Sequence, residues 1–85
     1  MVLTFGAEPD PTKAIRRRQG DRIRQYRTFR GLSQADLADA VGVTQSCIGH
    51  WENGRYGPRQ HHQIALARAL DTPWSGIFGL DGEAA

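Results

Sequence analysis

Two short amphipathic segments meet at one glycine, Gly42, and this junction limits the possible folds more than any other feature of the chain. Ser33 precedes the first segment and Thr44 precedes the second, and a hydroxyl side chain at such a place favours the start of a helix. Gly42 can end the first helix because glycine adopts the left-handed conformation at little cost. The sequence therefore predicts two helices joined by a tight turn.

The part of the chain before this pair predicts one more helix, whose start is ambiguous. Thr12 is a suitable cap for a helix beginning at Lys13, but Gly20 would then lie in the helix interior, where glycine costs about 1 kcal/mol relative to alanine. The alternative is a start near Asp21, which leaves residues 16–18 on a flexible arm. The sequence leaves both starts open.

The part of the chain after the pair predicts two further helices. The apolar spacing of Leu66 and Leu70 indicates a helix over residues 59–70. Thr72 is expected to cap a last short helix, with Pro73 in its first position. No segment of the sequence predicts a strand.

The length and these elements indicate one small all-α domain. The chain has 85 residues, which is too few for two domains of ordinary size. We expect a flexible arm over residues 1–12, a compact five-helix domain over residues 13–78 and a frayed tail over residues 79–85.

Positive charge is concentrated in the segment before the glycine junction. The formal net charge is only +2, yet residues 14–30 hold seven arginines against a single acid, Asp21. A local basic patch matters more for binding a polyanion than a modest total charge. A solvated helix face explains the same arginines equally well, so the patch alone leaves both interpretations open.

Several classes of function find little support in the sequence. The single cysteine, Cys47, excludes an intramolecular disulfide and fits a reducing cytoplasm, and no apolar run is long enough to span a membrane.

Cys47 and His50 resemble half a zinc site, with His61 and His62 further on, but two properly spaced ligand pairs are absent. No spacing indicates an enzyme. We therefore predict no metal, no cofactor and no small-molecule ligand.

The outer face of the helix after Gly42 carries short polar side chains, with no lysine or glutamate. Ile48 and Trp51 mark its inner side at 3.6 residues per turn. The outer side then holds Gln45, Ser46, Gly49 and His50. Glutamine can bond an adenine edge through both amide atoms, and serine can bond either kind of base. This face is therefore suited to reading bases in a DNA groove, and a merely solvated face is the alternative.

Together these residues resemble the Cro and phage-repressor class (XRE-type) of helix-turn-helix DNA-binding domains. The resemblance is carried by residues 31–38 (GLSQADLA), 42–45 (GVTQ), 48 (I), 51–54 (WENG) and 66–70 (LARAL). It implies a lambda-repressor-like, compact five-helix fold whose third helix enters the major groove, which is the docking geometry of the phage repressors themselves.

The resemblance also implies roles for individual residues. The four residues on the outer face of the third helix become base readers, and Arg27 and Glu52 become a structural ion pair. The expected contacts with DNA phosphates are Gln34, Thr44, Asn53 and Arg55. The family pattern does not require Arg16, Arg17 and Arg18, which either reach flanking DNA or form a solvated helix end.

One helix reads only about four base pairs, which is too little for genomic specificity. We therefore expect a homodimer on a partly palindromic operator, with Trp74, Ile77 and Phe78 as candidate dimer contacts, although core packing explains these residues almost as well.

The sequence as a whole predicts a transcriptional regulator that binds double-stranded DNA sequence-specifically, similar to Cro or a small phage or prokaryotic repressor. Repression would come from occluding a promoter or operator in the cytoplasm of a prokaryotic or phage-infected cell, at the nucleoid. The alternative is an antitoxin or adaptor that uses the same fold to hold a protein partner. Such a module would tolerate acids on the outer face of the third helix, where this chain has none.

Overall fold

The computed structural model describes residues 11–79, which form five α-helices and no strand. The helices are α1 (Pro11–Phe29), α2 (Gln34–Val41), α3 (Gln45–Glu52), α4 (Gln60–Ala69) and α5 (Trp74–Phe78). The predicted all-α, five-helix fold is confirmed. The predicted arm and tail lie outside the described residues, except that Pro11 and Thr12 belong to α1 and Gly79 follows α5.

Helix α1 begins earlier than either predicted start. It is already helical at Pro11, so Thr12 lies inside the helix and is not its cap. It continues through Gly20 without a break because this glycine is a packing site: a Cβ atom there would lie 2.3 Å from the carbonyl oxygen of Trp51. Residues 16–18 therefore lie on a helix and not on an arm.

Side-chain caps define the α2–turn–α3 unit as the sequence predicts. The Ser33 hydroxyl accepts a hydrogen bond from the Asp36 N–H at 2.9 Å, and the Asp36 carboxylate accepts one from the Ser33 N–H at 3.0 Å. The Thr44 hydroxyl accepts from the Cys47 N–H at 3.2 Å. Between them, Gly42 has the left-handed φ of 85° that ends α2. These local interactions set both ends of the turn.

The last two helices each begin one residue later than the sequence predicts. Arg59 and Pro73 are the N-cap residues of α4 and α5, and neither provides a side-chain cap. Thr72 is therefore not the cap of α5, because Pro73 keeps an extended ψ of 150° and helical geometry starts at Trp74.

The hydrophobic core lies where all five helices meet. Its fully buried side chains are Ile23, Leu37, Ile48, Leu66, Leu70 and Ile77. Burying a side chain of this size contributes about 1.5–3 kcal/mol. Because α3 places Ile48 and Trp51 in the core, its opposite side is turned outward.

We predict that Gly20→Ala destabilises the protein although alanine favours helix formation. A Cβ atom at this position would lie 2.3 Å from the Trp51 carbonyl oxygen and 2.6 Å from that of Glu52, so α1 and α3 must separate. Overpacking costs about 1–3 kcal/mol, and a contact of 2.3 Å with a backbone atom puts the cost at the upper end of this range. It then exceeds the gain in helix propensity of about 1 kcal/mol. Urea unfolding followed by circular dichroism measures the difference.

The matched control for this prediction is Gly49→Ala. Gly49 is also helical, but the nearest atom to an added Cβ lies 3.8 Å away, so this variant should be at least as stable as the parent chain. Equal stability of the two variants would contradict the packing role of Gly20.

Candidate nucleic-acid interface

The outer face of α3 presents the four candidate base readers on one side of the helix. Gln45 and Ser46 are exposed, and Gly49 and His50 are half-buried. On the opposite side Ile48 is fully buried, and the one acid in α3, Glu52, is only 3% exposed. The face therefore offers uncharged or weakly basic hydrogen-bonding groups and no negative charge that would repel phosphate.

A row of four hydrogen-bonded side chains leads from α1 to this face. Arg27 donates from Nε to Glu52 Oε2 at 2.6 Å and from Nη2 to Glu52 Oε1 at 3.1 Å. Gln34 Nε2 donates to the same Glu52 Oε1 at 3.1 Å. Gln45 Nε2 in turn donates to Gln34 Oε1 at 3.5 Å. The structure therefore brings one candidate phosphate contact, Gln34, directly beside one candidate base reader.

The ion pair between Arg27 and Glu52 lies away from water. The Arg27 side chain is 13% exposed and the Glu52 side chain 2%, and Arg27 Nη1 also donates to the Leu32 carbonyl oxygen at 2.9 Å. The hydrogen bond to Glu52 raises the pKa of Arg27 against the opposing effect of burial. The pair holds together α1, the segment before α2 and the end of α3, and losing one partner of such a pair costs about 3–5 kcal/mol.

The other candidate phosphate contacts lie at both ends of α3. Thr44 is its N-cap and Asn53 its C-cap, and Arg55 lies in the loop that follows. All three are exposed. The Arg55 N–H donates to the His50 carbonyl oxygen at 3.0 Å, and the rings of His50 and Tyr56 lie 5.3 Å apart. The loop is thus anchored to the last turn of α3, and Tyr56 joins this surface although no spacing in the sequence points to it.

The N-terminal half of α1 packs against the same loop. A Cβ atom on Gly54 would lie 2.9 Å from Arg17 Cα, and one on Gly57 would lie 3.6 Å from Arg16 Cγ. Further along α1, Arg24 pairs with Asp21 at 3.0 Å. Because residues 11–20 contain no acid, the positive charge of α1 is concentrated beside the loop that carries Arg55.

Within this group, Arg16, Arg17 and Arg18 differ in environment. Arg16 is half-buried, whereas Arg17 and Arg18 are exposed. The aliphatic part of Arg16 lies beside Gly57, and its Nε atom is buried without a hydrogen-bond partner among residues 11–79. Arg16 therefore has a packing role in addition to any contact with DNA.

This geometry matches a family defined by sequence. The model of the helix-turn-helix family HTH_3 matches residues 23–77, which is more than half of the chain. The chain belongs to the HTH_3 family of helix-turn-helix transcriptional regulators. The helix-turn-helix class predicted from the sequence is thereby confirmed. The family match begins well after Pro11, so the basic N-terminal half of α1 lies outside it.

Two archaeal proteins show the family likeness over most of their length, and both are described as uncharacterized HTH-type transcriptional regulators. The one from Methanothermobacter thermautotrophicus is 42% identical over 64 residues, covering 74% of this chain and 93% of the relative. One from Archaeoglobus fulgidus is 34% identical over 62 residues, covering 73% of this chain and 89% of the relative.

Two solved structures show the same fold. The restriction-modification controller protein C.AhdI from Aeromonas hydrophila is 35% identical, with a TM-score of 0.73 and coverage of 76% of this chain and 98% of that chain. The clp gene regulator ClgR from Corynebacterium glutamicum has a TM-score of 0.74 at 20% identity, covering 82% of this chain and 74% of that chain. The second likeness is one of fold alone.

Only one of the three candidate dimer contacts in this HTH_3 domain is exposed. Ile77 is 0% and Phe78 5% exposed, since the apolar face of the short α5 packs into the core. These two side chains therefore have no surface for a second chain, and that part of the prediction is wrong. Trp74 is 46% exposed and shares a surface groove with Ile64, which is 44% exposed.

Within residues 11–79, no three His, Cys, Asp or Glu side chains are grouped so that they could hold a metal ion. Cys47 is half-buried. The helices of this described part are too short or too polar to cross a membrane.

We predict that acidification destabilises the HTH_3 domain through His62. Its ring lies 5.3 Å from that of Trp51 and 4.1 Å from that of His61. Burial, followed by the charges of His61 and Arg59, lowers the pKa of His62. A histidine with a lowered pKa in the folded state binds its proton more readily when unfolded. The pKa of an unfolded histidine is about 6.5. The stability that neutral His62 contributes to the folded domain is therefore complete above about pH 6.5 and is lost as the pH falls below that value.

Urea unfolding over this pH range tests the prediction. The free energy of unfolding should fall as the pH drops from about 7.5 to about 5, and His62→Gln should make the fall smaller. An unchanged pH dependence in the variant would rule out His62 as the cause.

Proposed function

We propose that this protein is a sequence-specific transcriptional regulator that binds double-stranded DNA and represses by occupying a promoter or operator. The observation that carries the proposal is the outer face of α3, where short hydrogen-bonding side chains stand free of acids. In the proposed complex α3 lies in the major groove, the only groove whose base edges distinguish all four base pairs. The base readers are Gln45, Ser46, Gly49 and His50.

Phosphate contacts around α3 set its register on the duplex in this proposal. Such contacts position a protein on DNA, whereas base contacts determine its sequence preference. Thr44 and Asn53 stand at the two ends of α3, with Gln34 beside its first turn and Arg55 in the anchored loop. Arg16, Arg17 and Arg18 extend the basic surface along α1, and the helical geometry there favours contacts with the DNA backbone over insertion into the minor groove.

Several observations support the regulatory role. Relatives of similar length are described as HTH-type transcriptional regulators, and a solved protein at 35% identity is a restriction-modification controller. Repression by occlusion requires only site-specific binding, which this domain can provide as a homodimer. The motif resemblance supports a Cro-like or small phage or prokaryotic repressor acting at the nucleoid, in the cytoplasm.

The same proposal includes a homodimer on a partly palindromic operator. One α3 reads about four base pairs, and two copies would place their half-sites roughly one helical turn apart, as in the phage repressors. Ile64 and Trp74 form the candidate interface, with Arg68 and Asp71 lining the same groove. In a two-fold dimer the same patch of each chain faces its own copy. A patch that carries both Arg68 and Asp71 can therefore pair opposite charges across the interface.

We predict that Gln45→Ala and Arg55→Ala weaken DNA binding in different ways. Gln45→Ala should relax the preference at one base position at a cost of about 1–3 kcal/mol, whereas Arg55→Ala should weaken all sequences alike and reduce the salt slope by about 1. Selection from a random duplex library identifies the site, and affinities at two salt concentrations measure both effects.

The control for these variants is Gln25→Ala, which removes an exposed glutamine from α1. It should leave both the preference and the salt slope unchanged. If Gln45→Ala lost affinity equally for specific and random DNA, Gln45 would not be a base reader. If the library yielded no motif, the protein-partner alternative would replace the DNA proposal.

We predict that Ile64→Glu prevents dimer formation on the operator, since it places an additional charge beside Trp74 where the groove presents its exposed apolar side chains. Sedimentation of the saturated complex should show two chains per operator for the parent and fewer for the variant. Phe29→Glu is the matched control, because Phe29 is 79% exposed at the end of α1 and lies outside the groove. One parent chain per operator would contradict the dimer, and an intact Ile64→Glu dimer would contradict this surface.

A further inference from the structure

We propose that Tyr56, in the loop after α3, is a positioning residue that sets the sequence preference at the base pair that His50 reads. It does so by packing against the His50 ring and holding that ring in one orientation. The inference rests on the proposed function, in which His50 is a base reader. It adds a residue from outside α3 to the set that determines which operator the protein selects.

The rings of Tyr56 and His50 are in direct contact at the outer face of α3. Their centroids lie 5.3 Å apart and their planes are tilted by 52°, and this separation is within the range that aromatic pairs prefer. Tyr56 is 41% exposed and His50 is half-buried. The loop therefore places an aromatic ring at the surface, beside the last candidate reader of α3.

The neighbours of His50 along α3 do little to confine its ring. Residues three and four positions apart share one side of a helix, and the preceding neighbours of His50 on that side are Ser46 and Cys47, whose side chains are short. The second torsion of a histidine side chain is broad, so an unconfined ring samples many orientations. Tyr56 is a bulky group in contact with His50, and it can select among these orientations.

The backbone on both sides of Tyr56 is held in place. Before it, the Arg55 N–H donates to the His50 carbonyl oxygen at 3.0 Å. After it, Pro58 is buried, and its carbonyl oxygen accepts a hydrogen bond from Gln63 Nε2 at 3.1 Å. The loop is therefore tied to α3 at one end and to α4 at the other, so Tyr56 confines His50 already in the protein without DNA.

A confined ring discriminates between bases better than a mobile one. A hydrogen bond weakens steeply as its angle departs from linearity, so one orientation of the imidazole suits one arrangement of donors and acceptors on a base edge. A ring that is fixed beforehand also loses less side-chain freedom on binding. Removing the Tyr56 ring should therefore reduce the preference at the position that His50 reads by about two- to tenfold, the effect that one aromatic pair supplies.

The test measures affinities for the selected operator and for versions of it changed at single positions. His50→Ala identifies the position whose preference depends on His50, and Gln45→Ala identifies the position that depends on Gln45. Tyr56→Ala should reduce the preference ratio at the first position and leave the ratio at the second unchanged. Tyr56→Phe keeps the ring and should retain both ratios. In the His50→Ala background, Tyr56→Ala should change neither ratio, since the group through which it acts is absent.

The matched control is Arg55→Ala, which removes the neighbouring side chain of the same loop. It should lower the affinity for every sequence and leave the ratio at the His50 position unaltered. A merely structural role for Tyr56 would make Tyr56→Ala behave in the same way. Nuclear Overhauser contacts between the Tyr56 and His50 ring protons in the parent protein test the packing step without any variant, so the inference remains testable if Tyr56→Ala does not fold.

Three results would overturn the inference. They are an unchanged ratio at the His50 position in Tyr56→Ala, an equal loss of that ratio in Tyr56→Phe and Tyr56→Ala, and the absence of contacts between the two rings. In each case His50→Ala still removes a preference, so the base-reading proposal stands. If His50→Ala changes no preference at any position, the base-reading role of His50 fails and this inference fails with it.

Discussion

The charge on Glu52 is almost completely removed from water, and it is tolerated there because Arg27 donates to both carboxylate oxygens. Desolvating two ions is expensive unless their geometry is good and their remaining hydrogen bonds are satisfied. Here Arg27 also bonds the Leu32 carbonyl oxygen, and Glu52 also accepts from Gln34. A single ion pair therefore fixes the end of α3 relative to α1 and to the start of α2, and it complements the core packing of Ile48 and Trp51 that turns the outer face of α3 outward.

The close approach of α1 to the end of α3 complements this pair. Gly20 lets the two helices meet at a distance that no side chain would permit, and Gly54 allows the backbone of α1 to lie against the following loop. These contacts bring the acid-free half of α1 beside Arg55, so charge that is local in the sequence becomes part of a surface near α3. The close packing at Gly20 and the ion pair between Arg27 and Glu52 thus both depend on how α1 crosses the end of α3.

Sequence patterns predicted the elements controlled by local interactions. The capping box of Ser33 and Asp36, the Thr44 cap and the left-handed Gly42 all depend on neighbours within a few residues, so a reader of the sequence can recognise them. The start of α1 was not predictable in this way. Gly20 weakens a helix by its intrinsic propensity, but its close contact with Trp51, far along the chain, gives it a packing role.

The surface likewise has some features that the local sequence determines and others that depend on tertiary contacts. The sequence by itself determined the all-α fold, the two helices around Gly42 and the short polar side chains of α3, because helical periodicity and caps are properties of the local chain. Only the tertiary structure decided that Ile77 and Phe78 belong to the core and that Ile64 is exposed. It also decided the direction of the hydrogen bonds from Arg27 through Glu52 and Gln34 to Gln45. That direction depends on a buried charge shared by three helices, which no local pattern encodes.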